Sequence, residues 1–274
     1  MNKNLTIFHE APLAIFDDVQ KVTGGDYFLA NVFETDPEYL EKAKESVAKG
    51  RKTILDNGVF ELGTAMDLRN FLKWIQILKP EYYIVPDVLE DGEGTIKNMI
   101  AWMSMYGTLV PEGCKAIGVA QGKDMDDFLA CYDYMSTSTF VEKIALSFDF
   151  SWFCKDFTCV HPNKLVRFTE GRKALLTFLN NSGTVNRDKP HHLLGCSLPF
   201  EFGFYKNNPE FDFIESIDTS NPVVAGLKGL RYVPGFGLGE KPSEKLYTMI
   251  KSDVTPKQRE DILYNIEEFS KICK

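Results

Sequence analysis

The chain has 274 residues, is 44% hydrophobic and 26% charged, and carries a formal net charge of −8. That is an ordinary globular balance with ample material for a core. No apolar run is long enough for a membrane-spanning helix, and the acidic balance removes the usual electrostatic signature of a nucleic-acid binder.

Met1–Glu10 includes Lys3, His9 and Glu10 and lacks an apolar centre, so no signal peptide is expected. Leu5–His9 and Tyr27–Val32 are short apolar runs that read as strands. A helix follows over Pro37–Lys49, with Thr35 or Asp36 as its cap and Gly50 beyond its end. Thr53–Asn57 reads as the third strand. Ala65–Leu78 reads as a helix whose apolar stripe is Leu68, Phe71, Leu72, Ile75 and Leu78, with Pro80 after it. Strand Tyr82–Val88 precedes helix Gly94–Tyr106, and strand Lys115–Gln121 precedes helix Met125–Met135. Strand Lys143–Phe148, helix Leu165–Asn180, strand His192–Cys196 and strand Phe213–Asp218 complete the series. Pro199–Asn208 is aromatic-rich and reads as a loop or short helix. Pro242–Lys251 and Pro256–Ile272 read as closing helices.

Strands alternating with helices imply parallel strands joined by right-handed crossovers. Eight strands favour an α/β fold closed as a single (β/α)8 barrel of the TIM type, with C-terminal helices, over residues 1–274. No G-x-G-x-x-G follows a strand, so an open dinucleotide-binding sheet has no support. Cys114, Cys131, Cys154, Cys159, Cys196 and Cys273 form no C-x-x-C, which suits reduced thiols in a cytoplasm. His9, His161, His191 and His192 lack the spacing of a metal set, and neither metal nor cofactor is expected.

In such a barrel the C-terminal strand ends face the active site. Asp56, Asp87, Gln121 and Asp218 stand at those ends in apolar context, where a carboxylate is costly to bury unless hydrogen-bonded or functional. One such Asp is ordinarily a helix cap or a turn former; three at successive strand ends are not so easily dismissed. Gly58, Gly118, Gly122 and Gly195 would let a planar ligand approach the backbone. These groups suit displacement at a sugar carbon by one carboxylate with acid/base help from another. They fit a carboxylate-based glycosidase or a metal-dependent lyase equally well.

At these residues the chain resembles the tRNA-guanine transglycosylase superfamily, whose members include deazaguanine transglycosylases acting on DNA. Asp56-Asn57-Gly58-Val59-Phe60 resembles the D-S-G-G-F segment, Pro86-Asp87 the segment with the base-reading Asp, and Gly118-Val119-Ala120-Gln121-Gly122 the G-I-V-Q-G segment. His192-Leu193-Leu194-Gly195 resembles Y-L-M-G, and Ile217-Asp218 the strand end carrying the nucleophile. The resemblance implies Asp218 as nucleophile and Asp56 as acid/base or positioning group. It implies Asp87, Gln121, Gly122, Gly195, Phe60 and Asn57 as base-binding residues. Val59 replaces the second Gly of D-S-G-G-F, and Thr219-Ser220-Asn221-Pro222 replaces the segment after the nucleophile. The family's tRNA enzymes carry C-x-C-x-x-C plus His after the nucleophile, whereas here only Cys273 follows Asp218 and no His does. The resemblance is therefore to the compact, DNA-directed branch that includes phage-encoded members. It implies base exchange with DNA rather than tRNA as partner, a 7-deazaguanine as small-molecule substrate, and the cytoplasm of a bacterial or phage-infected cell. It leaves room for a homo-oligomer. A tRNA-guanine transglycosylase, a nucleoside- or base-releasing hydrolase and a non-catalytic binding paralogue are the alternatives.

From Pro162 to His192 six Lys/Arg stand against Glu170 and Asp188. Lys164, Arg167, Arg172 and His192 are the candidates there for contact with a phosphate backbone; a solvated helix face is the plainer reading. Phe200, Phe202, Phe204 and Tyr205 are expected to pack rather than stack on bases. Trp152 and Phe153 line the pocket or cover the barrel mouth. Gly235-Phe236-Gly237-Leu238-Gly239 reads as a flexible loop.

Overall fold

The computed structural model describes residues 5–157, 160–242 and 244–274. The expectations for Lys3 and Cys159, and for the Cys154 side chain, lie outside the described residues. Eight strands close into a barrel in sequence order: β1 (Thr6–His9), β2 (Gly25–Leu29), β3 (Lys52–Asp56), β4 (Tyr82–Ile84), β5 (Lys115–Ala120), β6 (Val141–Leu146), β7 (His191–Leu193) and β8 (Ile214–Thr219). The described pairings are parallel, and helices separate the strands, as the alternation in the sequence requires. The chain divides into two compact units, Gly24–Leu146 and Met1–Thr23 with Ser147–Lys274.

In the unit Gly24–Leu146, β2 to β6 are almost wholly buried, as parallel strands covered on both faces must be. Four of its helices are started by aspartates. Asp36 caps Pro37–Ala48, Asp67 caps Leu68–Leu78, Asp91 caps Gly92–Tyr106 and Asp124 caps Met125–Thr137, each accepting from first-turn backbone N–H groups. Caps account for two shifted boundaries: the helix expected from Ala65 begins at Leu68 behind Asp67, and the one expected from Gly94 begins at Gly92 behind Asp91. β4 stops at Ile84, four residues before the expected end, because Pro86 has no N–H to continue the ladder. Beyond β2, Ala30–Glu34 turns as 3-10 helix where the strand was expected to continue. The strand-facing sides of the helices meet in an aromatic cluster in which Trp102 packs within 5.8 Å of both Phe71 and Tyr83.

In the other unit, β7, β8 and β1 lie side by side. Lys164–Asn181 is capped by Asn163, and Pro256–Cys273 opens with a capping box between Thr255 and Gln258. The aromatic stretch near residue 200 forms helix Glu201–Asn207, with Phe202 packed on Phe269 at 5.3 Å. The expected helix Pro242–Lys251 is instead a 3-10 turn, Leu246–Met249. Asn221–Leu227, directly after β8, is a helix the periodicity does not show, because every one of its residues is buried and it has no polar face. Cys114, Cys131, Cys196 and Cys273 are free thiols. Among the described residues no helix is long and apolar enough to cross a membrane.

Candidate active site

Asp56 is the last residue of β3 and sits opposite Leu29 of β2. Two residues before Leu29, Tyr27 reaches across and donates its hydroxyl to Asp56 Oδ2. Gly58 N–H donates to Asp56 Oδ1 at 2.8 Å, in a turn that needs the left-handed conformation of Gly58. The carboxyl is buried. Burial, with Glu61 and then Asp87 as neighbouring carboxylates, pushes its pKa up to about 8 against the pull of Tyr27 and Gly58. Asp56 therefore holds a proton at neutral pH, the state a general acid requires.

Asp87 lies three residues past β4. Asn57 donates its amide to Oδ1 at 3.0 Å and Gln121 donates its amide to Oδ2 at 2.7 Å. Both amides are oriented from behind: Asn57 Oδ1 accepts from Val59 N–H at 2.9 Å, and Gln121 Oε1 accepts from Glu90 N–H at 3.1 Å. Each NH2 group must then face the carboxyl. Burial raises the Asp87 pKa, and these two amides oppose the rise. A cleft of about 250 Å3 opens beside it, lined among others by Val59, Met66, Asp67, Pro86, Asp87 and Asn98. That is just under the ~300 Å3 at which pockets for drug-sized ligands begin, a size suited to a small heterocycle.

In the other unit, Asp218 stands near the end of β8. His192 of β7 is in register with Ser216, two residues before Asp218 on the same face of β8. Its Nδ1 lies 2.9 Å from Ser216 Oγ and its Nε2 lies 3.0 Å from Asp218 Oδ1. Against a carboxylate Nε2 is the donor, and the Ser216 hydroxyl on Nδ1 fixes the plane of the ring. Gly195 N–H also donates to Asp218 Oδ1, at 3.0 Å. Both bonds fall on Oδ1, and Oδ2 accepts none from the described residues. One oxygen is held and the other is available to react, which is what a nucleophilic carboxylate needs.

Nothing in the sequence singles out Lys241, which follows the glycine-rich loop. It is half-buried, with its ammonium 4.3 Å from the centre of the Phe148 ring. Burial pulls its pKa below the usual lysine value, while Cys196, Asp149, Glu10 and Asp218 push back. Tyr27 and Ser216 carry no sequence signal either. Each is a strand-interior residue, and only pairing register brings Tyr27 to Asp56 and Ser216 to His192.

Several expected contacts are replaced by internal ones. Arg172 is fully buried and grips Glu201 through Nε at 2.7 Å and Nη2 at 3.0 Å, so it is not on a phosphate-binding face. His192 is equally buried and serves Asp218, not phosphate. Asn57 is buried and orients Asp87 in place of touching a base. Gly122 and Gly118 answer packing demands. A Cβ on Gly122 would collide with the backbone of Phe128, and one on Gly118 with Met135 and Val141. Gly195 has φ +65°, and a Cβ there would come within 2.7 Å of the Phe148 ring. Phe60 is 37% exposed on the short helix Val59–Leu62, where a ligand can reach its ring. Of the basic stretch, Lys164 is exposed beside the Phe168 ring, and Arg167 donates to the His161 and Pro162 carbonyls. Lys173 pairs with Glu170 and Arg187 with Asp212, so part of the local positive excess is neutralised. Among the described residues no group of three or more His, Cys, Asp and Glu is placed to hold a metal.

Gly122→Ala provides a check on the packing account. The added methyl must displace helix Met125–Thr137, and unfolding free energy is expected to fall by about 1–3 kcal/mol. Chemical denaturation measures it, and an unchanged midpoint would remove the packing explanation.

Compared with models of protein families and with curated proteins, the chain matches none.

Proposed function

We propose that this protein exchanges guanine in a nucleic acid, DNA rather than tRNA, for a 7-deazaguanine base through a covalent Asp218–glycosyl intermediate. The observation that carries the reading is the asymmetry of Asp218, with Oδ1 held by His192 and Gly195 and Oδ2 without a partner among the described residues. The target nucleotide is flipped out of its stack at a cost of roughly a few kcal/mol. Asp218 Oδ2 attacks C1′, the bond from C1′ to the guanine nitrogen breaks, and the departing base takes a proton from Asp56. The entering base returns its proton to Asp56 and attacks C1′, which frees Asp218. Asp87, fixed between Asn57 and Gln121, hydrogen-bonds the base edge, and Phe60 stacks on it. Lys164 and Arg167 contribute to the backbone contact.

The choice of DNA is supported by Thr219-Ser220-Asn221-Pro222, which stands where the tRNA enzymes carry a different segment after the nucleophile. The test supplies radiolabelled guanine or a labelled 7-deazaguanine together with DNA or tRNA in turn. Label entering DNA is the expected result. Label entering tRNA alone would transfer the reading to RNA. Free guanine released without incorporation would make the protein a base-releasing hydrolase.

A further inference from the structure

Arg172 makes more bonds than its pairing with Glu201 requires. Nη1 donates to the carbonyl of Leu194 at 2.8 Å and Nη2 donates to the carbonyl of Gly195 at 3.0 Å. The Leu194 carbonyl and the Gly195 N–H belong to one peptide group. That same N–H is the backbone donor to Asp218 Oδ1, at 3.0 Å. A positive charge on the oxygen of a peptide draws electrons from its nitrogen and strengthens the hydrogen bond its N–H donates. Glu201 Oε1 also accepts the Tyr205 hydroxyl at 2.7 Å, which fixes the carboxylate that in turn fixes the guanidinium.

We infer that Arg172 is a positioning residue for the nucleophile: seated on Glu201, it clamps the carbonyls of Leu194 and Gly195 and so aims and polarises the Gly195 N–H that holds Asp218 Oδ1.

This explains why the chain places a fully buried ion pair behind β7, where an apolar pair would pack with less desolvation. It also explains the left-handed Gly195. Its φ of +65° lets consecutive peptides point one carbonyl each at the guanidinium while the N–H between β7 and the next turn faces β8. The geometry requires Arg and not Lys, because the guanidinium serves two carbonyls and a carboxylate together. The inference rests on the proposed role of Asp218 for its catalytic consequence, but not for the hydrogen-bond chain itself.

The test therefore has two readouts on the full chain. The first is the Gly195 amide proton in a 1H–15N spectrum, which reports the strength of its bond to Asp218 with or without activity. The second is kcat for base exchange. Arg172→Met alone would strand the buried Glu201 charge, so the variant is Arg172→Met combined with Glu201→Gln, which keeps an acceptor for Tyr205. The Gly195 amide is expected to move upfield, and kcat to fall between about three- and tenfold with KM within about twofold. Arg172→Lys, which keeps the charge but serves fewer acceptors, is expected to give an intermediate amide position and an intermediate kcat. A folded double variant with the Gly195 amide unmoved would overturn the inference. So would a moved amide with kcat unchanged. If the wild-type protein exchanges no base, the functional reading falls, and the amide readout still decides whether Arg172 controls the Gly195 bond.

Discussion

Asp218→Asn is expected to lower base exchange by about 10^4-fold or more while leaving the unfolding free energy within about 1 kcal/mol of wild type. The amide keeps an oxygen that can accept from His192 and Gly195, so the two bonds that seat the side chain survive. What is lost is the second carboxylate oxygen, the one without a partner among the described residues. An amide in its place has no lone pair able to form the glycosyl ester. Single-turnover exchange measures the loss, and denaturant unfolding separates it from misfolding. A covalent adduct should also accumulate on wild-type protein given substrate DNA without an entering base, and not on the variant. Exchange by Asp218→Asn at the wild-type rate would remove Asp218 from the nucleophile's role.

Asp56→Asn is expected to act in opposite directions on activity and stability. Buried beside Glu61 and Asp87, the Asp56 carboxyl titrates near 8 in the folded chain, against about 4 in an unfolded one. Below pH 4 it is protonated in both states and is neutral in its effect. Between about pH 4 and 8 only the unfolded chain ionises, so the penalty on the folded state grows with pH and is complete above 8. Removing the acid removes that penalty. Asp56→Asn should match wild type in stability near pH 4 and exceed it by a margin that grows with pH, on the order of several kcal/mol near pH 8. Activity should fall by about 10^2- to 10^4-fold across the range. In the wild-type protein kcat should decline as pH rises through about 8, because the proton the leaving base needs is then gone. Unfolding curves at pH 4, 6 and 8 and a kcat profile supply both measurements. A stability gain that does not vary with pH would contradict the assignment of the buried proton to Asp56.

The strands were legible because parallel strands are buried on both faces and so appear as short continuous apolar runs. β5 and β6 show it, with one exposed residue each. Helices with a polar face and a cap were legible for the same kind of local reason, Asp36 before Pro37 being the clearest. Asn221–Leu227 was not, since a helix buried all round loses the periodicity that would mark it. The strand-end carboxylates were visible as charges in apolar context. Their differences were not. Asp56 and Asp87 have like surroundings in sequence, yet one is set against a tyrosine hydroxyl and a glutamate and the other between two amides.

The sequence by itself determined the alternation that makes a barrel, the helix caps, and the presence of acids where strands end. Those features depend on neighbours within a few residues. Tertiary structure alone decided which side chain holds which. Arg172 meets Glu201 across 29 residues and His192 meets Asp218 across 26, so residues that read in sequence as a basic, phosphate-seeking stretch became internal supports. The physical reason is the cost of burial. An arginine or histidine carried into the core must find every partner its donors need, and strand register, not sequence proximity, supplies them.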